Sequence, residues 1–144
     1  MTRIERSIFI NATPEEITAI SLDGWRLPEW YAGVEQAEPD EVYPEPGGVA
    51  NLVYKAAGVT FHLTMTSLEL VEGQSATYQM EGMITGTNHW VYTPEGDGTW
   101  VSATFDYEMP GGGVGKMIDR LVVERMNTEN LERSLENLKA LVEG

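Results

Sequence analysis

The stretch that decides the fold begins at Gly98 and reads GTWVSATFDYEMPGGG, followed by VGKMIDRLVVERMNTENLERSLENLKALVEG. Between Val101 and Tyr107 the bulky apolar residues occupy every second position, which predicts a strand with one apolar face. From Val114 onward the spacing changes to three and four, which predicts an amphipathic helix about 28 residues and roughly 40 Å long. A solitary helix of that length needs a wide sheet as its partner. Its apolar stripe comprises Val114, Met117, Ile118, Leu121, Val122, Met126, Leu131, Leu135, Leu138 and Val142.

The preceding residues supply that sheet. A first short helix is predicted to start after Thr13, because Thr13-Pro14-Glu15-Glu16 combines a capping residue, a proline at the first helical position and a glutamate three residues after the cap. It ends near Gly24, and a second helical turn follows within 25–33, where Pro28 prevents a longer helix. Strands are predicted at 3–10, 34–43, 49–57, 59–71, 74–82, 87–93 and 99–109, with short connections that indicate an antiparallel meander.

These elements predict one α+β domain over residues 1–144. Its fold class is a seven-stranded curved antiparallel sheet wrapped around a long C-terminal helix, with two short helices after the first strand. Because the stripe of that helix must face the sheet, Leu121 is expected to be buried, and an aspartate at this position is expected to unfold the domain.

Charge and composition exclude several classes of function. The net charge is -14, and residues 1–113 carry -13 of it, so a nucleic-acid or anionic-lipid partner is disfavoured and no stable membrane association is expected. Solubility, or adaptation to a saline cytoplasm, explains the acidity better than cation binding. The chain has no cysteine, no run of 18 apolar residues and no apolar stretch at its N-terminus, so a cytoplasmic location is expected.

Alternation along each predicted strand indicates which side chains face the interior. His62 falls on the outer parity of its strand, while Asn88 is the one amide on the inner parity of its own. The wall that results is aromatic and rich in methionine, with several phenolic hydroxyl groups. A phenol or amide in such an environment must be satisfied by neighbours or by water, or must bind a polar group of a ligand.

Several motifs together resemble the START-like helix-grip superfamily, the SRPBCC group, which contains the birch pollen allergen, lipid-transfer START domains and polyketide cyclase/dehydrase proteins. The motifs are Asn11-Ala12-Thr13-Pro14-Glu15-Glu16-Ile17, Trp30 after Asp23, Gly98-Thr99-Trp100-Val101, Tyr107-Glu108 before the glycines, and the ending from Glu132 to Glu143. The resemblance covers nearly the whole chain and implies a cavity between sheet and helix, in which members of the superfamily carry, transfer or transform hydrophobic molecules. The ligand-contacting candidates are Trp30, Tyr54, Phe61, Leu63, Met65, Tyr78, Asn88, Trp90, Tyr92, Ala103, Phe105, Tyr107, Met117 and Leu121.

Other chemistries fit the sequence less well. The glycines of 110–116 precede a helix, but Pro110 and Met117 stand where a phosphate-binding loop needs glycine and serine or threonine, so a flexible entry to the helix is the better interpretation. The two histidines, His62 and His89, lie on strands that are not sequential neighbours, and no Gly-x-Ser-x-Gly elbow occurs. Arg26 is expected to pair with Asp23 or Glu29. No metal and no cofactor are expected, and no catalytic residue is assigned.

Three classes of function remain open at this point. The preferred hypothesis is a protein that carries or sequesters a small hydrophobic, oxygen-bearing molecule in the internal cavity. The alternative is a cofactor-independent lyase or isomerase of the polyketide cyclase/dehydratase type, acting on a polyketone in the same cavity through enolate-stabilising hydrogen bonds. In the third, the interior is only a core and the function lies in a partner contact. A monomer and a homodimer are both compatible with the sequence.

Overall fold

In the computed structural model, residues 2–56, 58–108 and 120–144 are described, Ala56 by its backbone alone. Seven antiparallel strands form one sheet in the order β1-β7-β6-β5-β4-β3-β2. The predicted fold class is therefore confirmed. The strands are β1 (Thr2–Ile10), β2 (Val34–Pro39), β3 (Val49–Ala56), β4 (Val59–Val71), β5 (Ser75–Gly82), β6 (Thr85–Glu95) and β7 (Gly98–Glu108). The helices are α1 (Pro14–Ser21), α2 (Leu27–Trp30, preceded by a 3-10 turn at Gly24–Arg26) and α3 (Arg120–Glu143).

The start of α1 has the predicted capping box. The Thr13 Oγ1 atom accepts from the Glu16 backbone N–H at 3.2 Å, and the Glu16 Oε1 atom accepts from the Thr13 backbone N–H at 3.1 Å. Two of the N–H groups that a helix start leaves unpaired are thereby satisfied. This junction fixes where α1 and α2 lie over the end of the sheet.

Strand β2 is shorter than predicted. It ends at Pro39, and the predicted continuation to residue 43 is wrong. The reason is Asp40, whose carboxylate accepts from the backbone N–H groups of Val42 and Tyr43 at 3.0 and 2.9 Å. A side chain that bonds the backbone two and three residues ahead turns the chain out of the sheet. Tyr43 is consequently directed into the interior, where it is buried.

The face of α3 that is buried differs from the predicted stripe. Leu131, Leu135 and Leu138 are buried as predicted, but Leu121 and Val122 are 73% and 43% exposed, so their predicted burial is wrong. At 100° per residue, Leu121 lies about 120° around the helix axis from the centre of the buried face. The rest of that face consists of Val123, Asn127, Asn130 and Ser134. Residues 114–118 of the predicted stripe, Met117 among them, lie outside the described residues.

The described part of α3 packs mainly against β1 and the two short helices. Lys139 Nζ donates to the Phe9 carbonyl at 2.8 Å, which satisfies a backbone acceptor of the edge strand β1. Asn137 Nδ2 donates to the Trp30 carbonyl at 3.2 Å and so connects α3 to α2. None of the helices in the described ranges is long and apolar enough to cross a membrane.

Candidate ligand-binding interior

The faces predicted from alternation are confirmed by burial. The inner-face candidates on the strands, together with Trp30, are each at most 6% exposed, whereas His62 is exposed on the outer face. Met117 falls outside the described residues, and Leu121 points away from the interior. The buried set is Trp30, Tyr54, Phe61, Leu63, Met65, Tyr78, Asn88, Trp90, Tyr92, Ala103, Phe105 and Tyr107.

One end of the interior, beneath α1 and α2, is closed by aromatic rings; we call it the closed end. The Trp30 and Trp90 rings meet edge to face with centroids 5.5 Å apart, and the Tyr43 and Tyr78 rings are stacked at 5.9 Å. These rings surround a cavity of about 10 Å³, which is room for about one water molecule. The cavity is lined by Ser21, Leu27, Trp30, Tyr31, Tyr43, Met65, Tyr78, Trp90 and Tyr92.

The polar groups of the closed end are only partly satisfied. Ser21 Oγ and Tyr92 OH are 3.2 Å apart and share a hydrogen bond. The indole nitrogen of Trp30 is buried and has no hydrogen-bond partner among the residues that the structure describes. Four residues of this cavity are absent from the sequence-based candidates, because they come from helix ends and a loop, where strand alternation does not apply: Ser21, Leu27, Tyr31 and Tyr43.

The other end of the interior lies beside the first turns of α3; we call it the helix-start end. Here Asn88 Nδ2 donates to Tyr31 OH at 2.7 Å, and Asn127 Oδ1 accepts from Tyr54 OH at 2.8 Å. Among the described residues, the second atom of each amide, Asn88 Oδ1 and Asn127 Nδ2, is buried without a partner in hydrogen-bonding geometry, and so is the hydroxyl of Tyr107, which lies beside the Asn127 side chain. Asn88 and Tyr107 lie diagonally on the same face of neighbouring strands, since Asn88 pairs with Phe105.

The polar face of α3 is the part of the site that the sequence predictions missed. Asn130 Nδ2 donates to Tyr54 OH at 3.1 Å, so Tyr54 is held by two amides of the helix. Ser134 Oγ accepts from the Ala32 N–H at 2.8 Å and donates to the Asn130 carbonyl at 2.6 Å. A signal for these residues is present in the sequence: Asn127, Asn130 and Ser134 are three and four apart, which is the same helical spacing that identifies an apolar stripe.

The phenols of the interior are all neutral near pH 7. Burial raises the pKa of Tyr31 to about 12, partly offset by its hydrogen bond with Asn88, and raises the pKa of Tyr92 to about 12, partly offset by Ser21. Burial also raises the pKa of Tyr54 and of Tyr107, and for Tyr107 the neighbouring Asn127 side chain partly offsets this effect. A neutral phenol can both donate and accept a hydrogen bond.

In the described part of the chain, the buried polar residues are serines, a threonine and asparagines, and none is charged. Arg26 does not line the cavity. Its guanidinium donates to both carboxylate oxygens of Glu29, at 3.0 and 3.1 Å, which confirms the prediction that Arg26 pairs with Asp23 or Glu29. His89 Nδ1 is 2.7 Å from Thr77 Oγ1 on the sheet, and His89 is not a residue of the interior cavity. Within the described ranges, the interior can therefore bind neutral groups by hydrogen bonding and apolar contact.

A curved antiparallel sheet around one long helix, with an aromatic interior that carries phenols and amides, defines the helix-grip class. The family model described as "Polyketide cyclase / dehydrase and lipid transport" matches residues 1–143. The chain belongs to this family, which confirms the polyketide cyclase/dehydrase group predicted from the sequence resemblance. No protein with a curated description matches the chain in sequence.

Solved structures agree with this assignment. The protein TTHA0849 from Thermus thermophilus is 26% identical, and the alignment covers 98% of this chain and 97% of that one with a TM-score of 0.82. The Zhui aromatase/cyclase from Streptomyces sp. R1128 is 15% identical over 99% and 93% of the two chains, with a TM-score of 0.85. A START superfamily protein from Mycobacterium smegmatis is 20% identical over 98% and 97%, with a TM-score of 0.79. The last two similarities concern the fold alone.

Proposed function

We propose that this protein binds, and thereby carries or sequesters, a small hydrophobic molecule bearing oxygen atoms, between the sheet and α3. The observation that supports the proposal is the group of buried polar atoms without partners at the helix-start end: Asn88 Oδ1, Tyr107 OH and Asn127 Nδ2. They combine a donor, an acceptor and a hydroxyl that can act as either. A ligand with a hydroxyl group that donates to Asn88 Oδ1, and with a carbonyl or hydroxyl oxygen that accepts from Tyr107 and Asn127, would satisfy all three.

A purely structural core explains these atoms less well. A buried polar atom without a partner costs about 1–3 kcal/mol, and most buried polar atoms in proteins have partners. Leucine at position 88 and phenylalanine at position 107 would fill similar volumes and remove that cost. The polar side chains therefore favour a function over mere packing, which argues against the third hypothesis, a core whose only role is structural.

Binding a ligand of this kind requires the interior to open. The cavity at the closed end is about 10 Å³, whereas pockets for small organic ligands are typically about 300–1000 Å³. The start of α3 is the element that can shift at least cost, because Val123 is the one buried residue among its first six described positions. The proposed flexible entry through the glycines of 110–116 lies outside the described residues.

The test uses a matched pair of probes, 2-acetylnaphthalene and 2-ethylnaphthalene, which differ by one carbonyl oxygen. We expect Tyr107→Phe to weaken binding of the ketone by about 1–3 kcal/mol, because its carbonyl can accept from the Tyr107 hydroxyl, and to leave the hydrocarbon nearly unchanged. A third probe, 1-(2-naphthyl)ethanol, has a hydroxyl that can donate to Asn88 Oδ1, so Asn88→Leu should weaken binding of this alcohol by a similar amount. Affinities are measured by calorimetry or by tryptophan fluorescence quenching. Thr104→Val, on the outer face of β7, is the control and should change neither affinity.

Two outcomes would contradict the proposal. If the ketone in Tyr107→Phe and the alcohol in Asn88→Leu lose no more affinity than the hydrocarbon, the residues act by packing and not by hydrogen bonding. If neither probe binds the wild-type protein, the interior is not a ligand site. Ala103→Trp provides a further check, because a larger side chain at the centre of the inner face should abolish binding of both probes while far-ultraviolet dichroism stays unchanged.

The second candidate is an enzyme of the cyclase/dehydratase type. It is favoured by the neutral donors of the helix-start end, since a phenol and an amide can stabilise an enolate oxygen without a cofactor. Against it, the described interior holds no carboxylate, histidine or lysine that could act as a general base near pH 7. Incubation with a linear triketone, followed by mass spectrometry, distinguishes the two: an enzyme releases a cyclised product lighter by one water and loses this activity in Tyr107→Phe, whereas a carrier returns the triketone intact.

A further inference from the structure

The closed end contains a donor that neither proposed function uses. Trp30 is 3% exposed and lines the small cavity, and its indole N–H is buried with no hydrogen-bond partner. An indole N–H can only donate. Whatever satisfies it must bring an acceptor into the cavity, and the cavity has room for about one oxygen-sized group.

The surroundings of this donor fit an oxygen atom. Ser21 Oγ and Tyr92 OH, joined by their hydrogen bond, line the same cavity, as do the hydroxyl-bearing side chains of Tyr43 and Tyr78. A buried water needs two to four polar partners. The Trp30 N–H and these hydroxyl groups belong to side chains that line the same cavity, so the cavity has enough polar groups to bind one water molecule.

The charge of the site limits the kind of oxygen. Of the described residues that are buried, none carries a charge, and the chain as a whole is strongly acidic. A carboxylate or phosphate in the cavity would be desolvated without a compensating cation. The acceptor is therefore a neutral oxygen.

From these observations we propose that the closed-end cavity is a binding site for one neutral oxygen acceptor, with the Trp30 indole N–H as its donor. Water occupies it in the ligand-free protein, and the carbonyl or hydroxyl oxygen of a hydrophobic ligand replaces that water. The second half of this statement rests on the proposed ligand-binding function; the first half does not.

The site also gives the ligand a direction and a length. Tyr92 at the closed end and Asn88 at the helix-start end are both inward-facing residues of β6. They are separated by about 13 Å, at roughly 3.3 Å per residue. Trp90 lies between them and is apolar apart from its indole nitrogen. A molecule that reaches both ends has an oxygen at each end and an apolar middle.

The first experiment concerns the ligand-free protein and does not depend on the proposed function. A high-resolution crystal structure of the full chain should show a water oxygen about 2.7–3.2 Å from Trp30 Nε1. Crystals of the Trp30→Phe variant in the same crystal form should lack this water, because phenylalanine keeps an aromatic ring at this position but has no N–H donor. A cavity that is empty in the wild-type protein would overturn the proposal.

The second experiment tests the exchange of water for ligand, with the same ketone and hydrocarbon as probes. Trp30→Phe should weaken 2-acetylnaphthalene about tenfold and 2-ethylnaphthalene by less than about twofold. Trp25→Phe, at an exposed tryptophan outside the cavity, is the matched control and should change neither. If the ketone binds the wild-type protein but Trp30→Phe leaves its affinity unchanged, the ligand half of the proposal is wrong.

The two proposals fail in different ways. If neither probe binds the wild-type protein, the proposed function fails, while the ordered water still decides whether the oxygen site exists. If the ketone binds and responds to Tyr107→Phe but not to Trp30→Phe, the ligand uses only the helix-start end. A water that is present in Trp30→Phe at the same position would also overturn the assignment of Trp30 as the donor.

Discussion

The two ends of the interior are built from the same kinds of residue but are organised differently. At the closed end, aromatic rings pack against each other, and the C-terminal half of α3 contributes buried leucines and bonds to α2 and β1. At the helix-start end, α3 buries Val123 and Asn127 but carries Leu121 and Val122 on its outside, and three polar atoms have no partner. We therefore expect the closed end, although it holds the unpartnered Trp30 N–H, to contribute more to stability, and under the proposed function the ligand enters at the helix-start end.

This difference follows from a general conflict between stability and binding. A site that binds must leave polar groups unsatisfied and must open, and both features cost folding free energy. Under the proposed function, the close packing at the opposite end of the same helix offsets that cost.

Substitutions in α3 should affect stability very differently at its two ends. Leu138→Ala should lower the free energy of unfolding by about 2–5 kcal/mol, because Leu138 is fully buried at the closed end and its loss leaves a cavity. Leu121→Ala should change it by less than about 0.5 kcal/mol, because Leu121 is mostly exposed. Urea denaturation followed by circular dichroism measures both. Equal losses would show that the start of α3 is as tightly packed as its end.

Ionisation of the interior phenols should destabilise the fold at high pH. The pKa values of Tyr31 and Tyr92 are raised to about 12, above the value of about 10 for an unfolded tyrosine. A raised phenol pKa stabilises the fold fully below pH 10, and this contribution is lost as the pH rises toward 12, by up to about 1.4 kcal/mol per pH unit for each phenol.

Absorbance near 295 nm measures this titration alongside circular dichroism. We expect the phenolates of the closed end to form only as the protein unfolds, and Tyr107→Phe to leave that transition in place. If all six tyrosines ionise near pH 10 while the dichroism remains native, the closed end is open to solvent and the contrast between the two ends is lost.

A comparison of two hydroxyl groups of α3, those of Ser134 and Thr128, measures how much a polar contact outside the helix contributes to stability. Ser134 and Thr128 both donate to the carbonyl four residues earlier, at 2.6 and 2.8 Å, but Ser134 also accepts from the backbone N–H of Ala32. Ser134→Ala should therefore lower the free energy of unfolding by about 1–3 kcal/mol, since it leaves the Ala32 N–H without its acceptor. Thr128→Ala should cost much less. A similar cost for both would mean that the bond between α3 and the α2–β2 turn contributes little.

Much of this organisation is predictable from the sequence, and the exceptions have physical causes. Alternation places Tyr54 and Tyr107 on the inner face, because a strand has a period of two and one face must be apolar. For Tyr92 the pattern is weaker, since His89, Val91 and Thr93 on the opposite face include an apolar residue. The capping box at Thr13 is equally explicit. The fold class follows from such local rules combined with the length of the last helix.

The errors arise where the positions of the apolar residues do not determine which side chains are buried. The apolar stripe predicts that Leu121 is buried, yet the helix turns a face containing Asn127 and Asn130 toward the sheet, since these amides meet the Tyr54 hydroxyl. The cavity residues Ser21 and Tyr43 come from a helix end and a loop, whose directions depend on tertiary packing. A functional interior breaks the apolar pattern at the positions where polar groups are needed, so sequence reasoning fails first at the site.

The smallest effect expected concerns surface carboxylates, one near each end of the interior. The guanidinium of Arg3 holds the pKa of Asp106 below its usual range at the helix-start end, and the Asn11 N–H with Lys139 does the same for the pKa of Glu143 at the closed end. A lowered carboxyl pKa stabilises the fold above the unfolded value, and that contribution is lost as the pH falls below about 4 through the folded value. Both groups are near the surface, so salt screens much of the effect.

Asp106→Asn and Glu143→Gln should each reduce the loss of stability between pH 5 and about pH 3, measured by thermal unfolding at low ionic strength. We expect the larger change for Glu143→Gln, because Glu143 accepts from the Asn11 backbone N–H as well as from the Lys139 side chain. An unchanged pH profile in both variants would show that neither pair forms in solution.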